Sequence, residues 1–291
     1  MTAFFASPTE VRERLAASGY LADDAIATTV FLADALGKPL LVEGPAGVGK
    51  TELAKAVATA ADAGLVRLQC YEGLDEARAL YEWNYKKQLL RIQAAGTSPS
   101  APPQAWQETH DDIFTEEFLL ERPLLAAIRR TDPTVLLIDE TDKADVEVEG
   151  LLLEVLSDYQ VTIPELGTLA AARTPFVVLT SNAARELSEA LKRRCLYLHL
   201  DYPDPARERD IVLARVPGIE ADLAEQLVRT VGTLRGLEIK KAPSIAETID
   251  WARTLLALGL SELDEAAVAR TLGVVLKHVS DQTRAIKELG L

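Results

Sequence analysis

Residues 38–64 read KPLLVEGPAGVGKTELAKAVATAADAG. The run KPLLVEG is a short buried strand ending at Gly44. GPAGVGKT, Gly44 to Thr51, fits the pattern G-x-x-x-x-G-K-[ST]. TELAKAVATAADAG continues as an amphipathic helix that stops at Gly64. A strand, a glycine-rich turn and a helix in that order are the context in which this pattern cradles phosphate. The glycines let backbone N–H groups turn inward, and the helix N-terminus adds the positive end of its dipole. In this reading Pro45, Ala46, Gly47, Val48, Gly49, Lys50, Thr51 and Glu52 hold a nucleotide. Lys50 reaches the β- and γ-phosphates, and Thr51 ligates Mg2+.

Working outward, four more short apolar runs follow: LVRLQC (65–70), PTVLLIDE (133–140), TPFVVLTSN (174–182) and CLYLHLD (195–201). Strands that are apolar throughout point to a parallel sheet covered on both faces. The helical stretches between them make a three-layer α/β core. Residues 8–36 read as two helices broken at Ser18-Gly19. Residues 94–106, rich in Ser and Pro, read as a surface loop. Residues 157–172 read as a hairpin turning at Pro164 to Gly167. After Pro203-Asp204-Pro205 the strands stop. The expected organisation is an N-terminal helical linker (1–36), an α/β nucleotide-binding core (37–203) and a small all-helical domain (204–291).

Composition narrows the function classes. Of 291 residues 48% are hydrophobic, 26% charged and 5% aromatic, a globular mixture large enough for a sizeable core. Asp and Glu number 45 against 31 Lys and Arg, a net charge of −14, which disfavours nucleic acid and anionic lipid as partners. Cys70 and Cys195 lie far apart without CxxC spacing and read as buried strand thiols of a reducing compartment. The three His are scattered, so a His-based metal cluster is not expected. No secretory signal and no run of about 18 apolar residues occurs, so no transmembrane segment is expected. The expected location is cytoplasmic, with peripheral attachment to a membrane as the alternative.

A phosphate loop calls for acids at a neighbouring strand end, and TVLLIDE supplies them. Asp139 would hold Mg2+ through water, and Glu140 would polarise the attacking water as general base. Asn182, at the mouth of the next strand, either orients that water or caps a helix. Arg193 and Arg194 precede a strand rather than follow one, the wrong end for their own chain's phosphate. They either act in trans in a ring or serve, with Lys192, as cations at a helix C-terminus. Tyr71, Tyr81, Trp83 and Tyr85 mark either a client-facing surface or a satellite core.

Together the phosphate loop, LLIDE, LTSN, LKRRC and the trailing helices resemble an AAA+ ATPase. The stretch LLEVLSDYQVTIPELGT resembles the MoxR branch. RLQCYEGLDEARALYEWNY, ALKRRCLYLHLDYPD and KAPSIAETIDWARTL resemble the CoxD type of that branch, found beside carbon monoxide dehydrogenases. The resemblance runs from about Gly19 onward. It implies a P-loop NTPase core followed by a helical lid, with ATP and Mg2+ as cofactors and a homo-oligomeric, hexameric ring. It also implies a chaperone-like role in maturing a molybdenum enzyme. The partners implied are a von Willebrand A domain protein and the immature, metal-containing dehydrogenase. Many MoxR relatives carry Ser-Pro-Arg at the start of a lid helix. Here the matching stretch is KKAPSIAET, without that arginine, and Lys240 or Lys241 is the candidate substitute.

Overall fold

The computed structural model describes residues 3–96 and 112–290. The elements run α1 (Pro8–Ala17), α2 (Asp24–Leu36), β1 (Leu40–Glu43), α3 (Lys50–Ala60), β2 (Gly64–Gln69), α4 (Glu76–Ala79), β3 (Tyr81–Trp83) and α5 (Tyr85–Gly96). After the undescribed stretch come β4 (Leu119–Glu121), α6 (Pro123–Arg129), β5 (Thr134–Asp139), α7 (Val146–Asp158), β6 (Gln160–Ile163), β7 (Gly167–Ala170), β8 (Phe176–Ser181), α8 (Glu189–Arg194) and β9 (Leu196–His199). Helices complete the chain: α9 (Pro205–Arg215), α10 (Ala221–Arg235), α11 (Ile245–Ala257), α12 (Glu265–Thr271) and α13 (Val279–Leu289). The expected 94–106 loop falls mostly outside the described residues, and its first three positions continue α5.

Five strands form one parallel sheet in the order β2-β5-β8-β1-β9. The central strands are apolar throughout because each is covered twice. In β5, Leu136 and Ile138 enter one core with Val177, Leu179, Leu125 and Leu152, while Val135 and Leu137 enter the opposite core with Val178, Leu53 and Val30. Side chains alternate across a strand, so each face collects every second residue. Full burial of such a side chain contributes roughly 1.5–3 kcal/mol. α6 and α7 cover the first face, and α1, α2 and α3 cover the second. Within residues 3–36, Val11, Leu15 and Val30 are fully buried in the second layer.

The helices after β9 share a third core around Leu227, Trp251, Leu255 and Leu276. Three of its polar neighbours, Thr271, Glu208 and Thr248, are paired. Trp251 Nε1 donates to Thr271 Oγ1 at 2.7 Å. Arg235 meets the buried Glu208 with two hydrogen bonds of 2.6 and 2.8 Å, and Thr248 Oγ1 donates to the same carboxylate at 2.8 Å. Arg235 also lies 4.5 Å above the Tyr202 ring, joining this helical lid to the segment leaving the sheet. The architecture is a P-loop NTPase core of three layers with a C-terminal helical lid.

Candidate nucleotide site

The phosphate loop joins β1 to α3, and its glycines do what no other residue could. Gly47 and Gly49 have φ of 76° and 102°, a region that disfavours residues with a Cβ. Any Cβ on Gly44 would fall 1.9 Å from the carbonyl oxygen of Leu200. Lys50, 6% exposed, extends back over the loop. Its Nζ donates to the Gly44 and Pro45 carbonyls at 2.6 and 2.7 Å and to Asn182 Oδ1 at 2.8 Å. Burial lowers the pKa of this ammonium, while Asp142, Asp139, Glu140 and Glu43 work to raise it.

β5 and β8 deliver the other polar groups. Asp139 Oδ1 accepts from Thr180 Oγ1 at 2.6 Å and from Thr51 Oγ1 at 3.0 Å. Thr180 Oγ1 in turn accepts from the Glu140 backbone N–H at 2.9 Å. Glu140 adopts φ 57° and ψ 47°, a left-handed conformation that costs about 1 kcal/mol or more in a non-glycine residue. Its carboxylate accepts from Gln69 Nε2 at 2.9 Å and Lys143 Nζ at 2.7 Å. Asn182 faces Lys50 and is not a helix cap; Ser188 caps α8. The chain thus presents Thr51 and Asp139 as adjacent hard oxygen donors. Such a pair fits Mg2+, which accepts a few protein oxygens and takes its other ligands from phosphate and water.

Lys50, Thr51, Glu140, Thr180 and Asn182 line a cavity of about 600 Å³, the size of a small-molecule site. Much of its wall was invisible to motif reasoning. Tyr20, Asp23 and Ile26 come from the N-terminal segment, Arg207, Ile211 and Arg215 from α9, and Ile245 and Ile249 from α11. Arg207 pairs with Asp23 and donates to the Leu21 carbonyl at 3.0 Å. Arg215 pairs with Glu52 at 2.9 Å. The cavity's lid cations therefore stand on α9. Lys241 instead pairs with Glu247 at 3.0 Å, and Lys240 donates its backbone N–H to Asp281 at 3.2 Å. The start of α11 nonetheless touches the loop. A Cβ on Gly47 would lie 2.4 Å from both Cβ and Oγ of Ser244.

The remaining candidates lie elsewhere. Arg194 Nε donates to Ser157 Oγ at 2.8 Å within the same chain. Arg193 is exposed and, among the described residues, has no partner. Trp83 is buried, edge-on to Phe114 at 5.1 Å and to Tyr81 at 6.4 Å; it joins the first core of the sheet with Tyr81 packed against it, rather than a separate satellite core. Tyr71 and Tyr85 are 42% and 61% exposed. The hairpin β6–β7 turns at Pro164 to Leu166, with Pro164 and Glu165 exposed. Burial pushes both thiols, Cys70 and Cys195, up to about 12, leaving neither reactive. Among the described residues no helix is long and apolar enough to cross a membrane.

Comparison with known proteins agrees with this geometry. Chaperone protein ClpB 2 of Parasynechococcus marenigrum is 36% identical over 141 residues, 48% of this chain but 13% of that protein. Protein NorQ of Paracoccus denitrificans is 25% identical over 207 residues, 69% of this chain and 66% of its own length. An uncharacterized Staphylococcus haemolyticus protein, SH1500, is 27% identical over 264 residues, 87% of this chain and 89% of that one. This chain thus spans only a part of the first two relatives. Among solved structures, a point mutant of Thermotoga maritima RuvB matches with a TM-score of 0.50 at 18% identity, covering 93% of this chain and 71% of that one. That likeness is one of fold alone. Residues 39–195 match the AAA domain of the dynein-related subfamily. That span holds the phosphate loop, the Asp139-Glu140 strand end and Asn182, and the chain belongs to the AAA ATPase family.

Proposed function

We propose that the chain is a MoxR-type ATPase that hydrolyses ATP to remodel or mature a partner metalloenzyme, the CoxD type beside molybdenum-containing carbon monoxide dehydrogenases being the nearest fit. The observation that carries the ATPase reading is the convergence, from three adjacent strand ends, of Lys50, Thr51 and Asn182 on one cavity wall, with Asp139 bonded to Thr51 just behind it. Pro45 to Glu52 enclose the phosphates. Thr51 and Asp139 hold Mg2+, which when bound neutralises phosphate charge. Glu140 takes the proton of the attacking water, and Asn182 orients it. At least one of Arg193 and Arg194 completes a neighbour's site in a hexameric ring, and Arg193, free of Ser157, is the better placed. The functional units are residues 37–203 and the lid 204–291, with residues 1–36 packed on the first. Support for the MoxR branch comes from the stretches 67–85, 152–168, 190–204 and 241–255 and from the similarity to NorQ, itself MoxR-like. A von Willebrand A protein and an immature metalloenzyme are the partners, met in the cytoplasm or at a membrane surface.

A second reading is a nucleotide-gated scaffold with little turnover. It is favoured by the hydrogen bonds that hold Glu140 to Gln69 and Lys143. Steady-state ATP hydrolysis against protein concentration separates the two. The chaperone reading expects activity rising faster than linearly, and a drop of about a hundredfold or more for Glu140→Gln with nucleotide binding retained. Negligible turnover at every concentration leaves the scaffold.

A further inference from the structure

We propose that Arg67 is a placeholder cation, occupying the Asp139 carboxylate until a divalent cation bound with nucleotide displaces it. The inference rests on the nucleotide-site reading above. Asp139 is nearly sealed from solvent, its side chain 3% exposed. Its Oδ1 is taken by the hydroxyls of Thr180 and Thr51. Its Oδ2 accepts from Arg67 Nη2 at 2.5 Å. A buried carboxylate without a countercharge is costly, and the guanidinium supplies that charge.

Arg67 is suited to leaving. It stands on β2, one of the two edge strands of the sheet, and its side chain is 48% exposed. Withdrawal breaks no packed core, and water can take up the freed donors. A cation arriving at Thr51 and Asp139 brings two positive charges beside the guanidinium, and like charges at that range repel even when partly screened by water. The carboxylate then has its countercharge from the metal, and the Arg67 pair is redundant.

The displacement also reaches Glu140. The same Nη2 that serves Asp139 donates to Gln69 Oε1, and Gln69 Nε2 donates to Glu140 Oε2 at 2.9 Å. Arg67 and Gln69 are i and i+2 on one strand and so share its face. Once Arg67 swings away, the Gln69 amide is held only by a long 3.4 Å bond to the Cys70 carbonyl and by Glu140 itself, so its grip on that carboxylate, shared with Lys143, loosens. The metal's arrival is thereby coupled to the freedom of the neighbouring acid.

Binding of a fluorescent, non-hydrolysable ATP analogue to the full chain, titrated with Mg2+, tests this. In Arg67→Ala the half-saturating Mg2+ concentration should fall by about twofold to fivefold, the range expected when a partly screened charge pair stops competing. Analogue affinity in EDTA should stay within about twofold, because Arg67 touches the carboxylate and not the nucleotide. Added Mg2+ and analogue should raise the melting temperature more in Arg67→Ala than in the parent. Arg67→Lys, which keeps the charge but loses the fork, should fall between them. An unchanged or higher Mg2+ requirement in Arg67→Ala overturns the proposal, as does a tenfold loss of affinity in EDTA. A parent chain that binds no analogue at any Mg2+ concentration removes the nucleotide-site reading, and this inference with it.

Discussion

Replacing Gly47 with alanine tests whether the lid rests on the phosphate loop. Two costs follow from the structure. The φ of 76° places an L-residue in the left-handed region, at about 1–2 kcal/mol. The new Cβ would also lie 2.4 Å from Cβ and Oγ of Ser244, about 1 Å inside an ordinary contact. Ser244 cannot simply rotate away. It is the N-cap of α11, and its N–H and Oγ both donate to Glu247 Oε2, at 2.7 and 2.6 Å. α11 is anchored in turn by Trp251 and Leu255, both 0% exposed. The whole helix must therefore retreat by about 1 Å, carrying Ile245 and Ile249 away from the cavity, and a misplacement of that size can cost on the order of a hundredfold in rate. Gly47→Ala should lower kcat/KM for ATP by about that factor. Ser244→Gly alone should change it by no more than about threefold, since glycine at an N-cap costs only a few tenths of a kcal/mol. The double variant should recover to within about tenfold of the parent, retaining the φ strain but not the collision. Steady-state hydrolysis on the four proteins, with thermal melts to check folding, completes the cycle. Additive effects without recovery, or a fully active Gly47→Ala, refute the claim that Ser244 bears on the loop.

Three further outcomes are expected. Arg193→Ala chains mixed with the parent should poison ATP hydrolysis beyond simple dilution, by up to about a thousandfold in the variant alone; Arg194→Ala, which loses a bond to Ser157 of its own chain, should mainly dilute, and equal behaviour would reject the distinction. Arg235→Ala strips the countercharge from Glu208, 1% exposed, and should destabilise the lid by about 3–5 kcal/mol in urea denaturation, a loss under 1 kcal/mol counting against it. Replacing Pro164-Glu165-Leu166 with Gly-Ser-Gly should leave basal hydrolysis within about twofold while abolishing capture of the von Willebrand A protein in a pull-down; lost hydrolysis with retained capture would move the hairpin to the subunit interface.

The phosphate loop, the five apolar strands and the change to helices after Pro203 were legible along the chain. Each is a contiguous signal: glycines where φ must be positive, apolar runs that in the central strands β1, β5 and β8 are covered on both faces, a proline pair where the strands end. The placing of Lys50, Thr51, Asp139 and Glu140 at neighbouring strand ends was legible for the same reason, since strand-end spacing carries it. The rest of the site is built by contacts over long separations, which no local pattern encodes. Arg67 reaches Asp139 across 72 residues. Arg207 of the lid meets Asp23 across 184. Ser244 meets Gly47 only because the third helical core turns α11 toward the loop. The polar pair Arg67 and Gln69 on one face of an otherwise apolar strand was a signal in plain view. Its meaning depended on β2 lying beside β5, in a register that sets Gln69 opposite Asp139. Local dihedral preference and burial pattern determined the elements from sequence. Only the packing of the sheet, the N-terminal helices and the lid decided which side chains meet at the cavity.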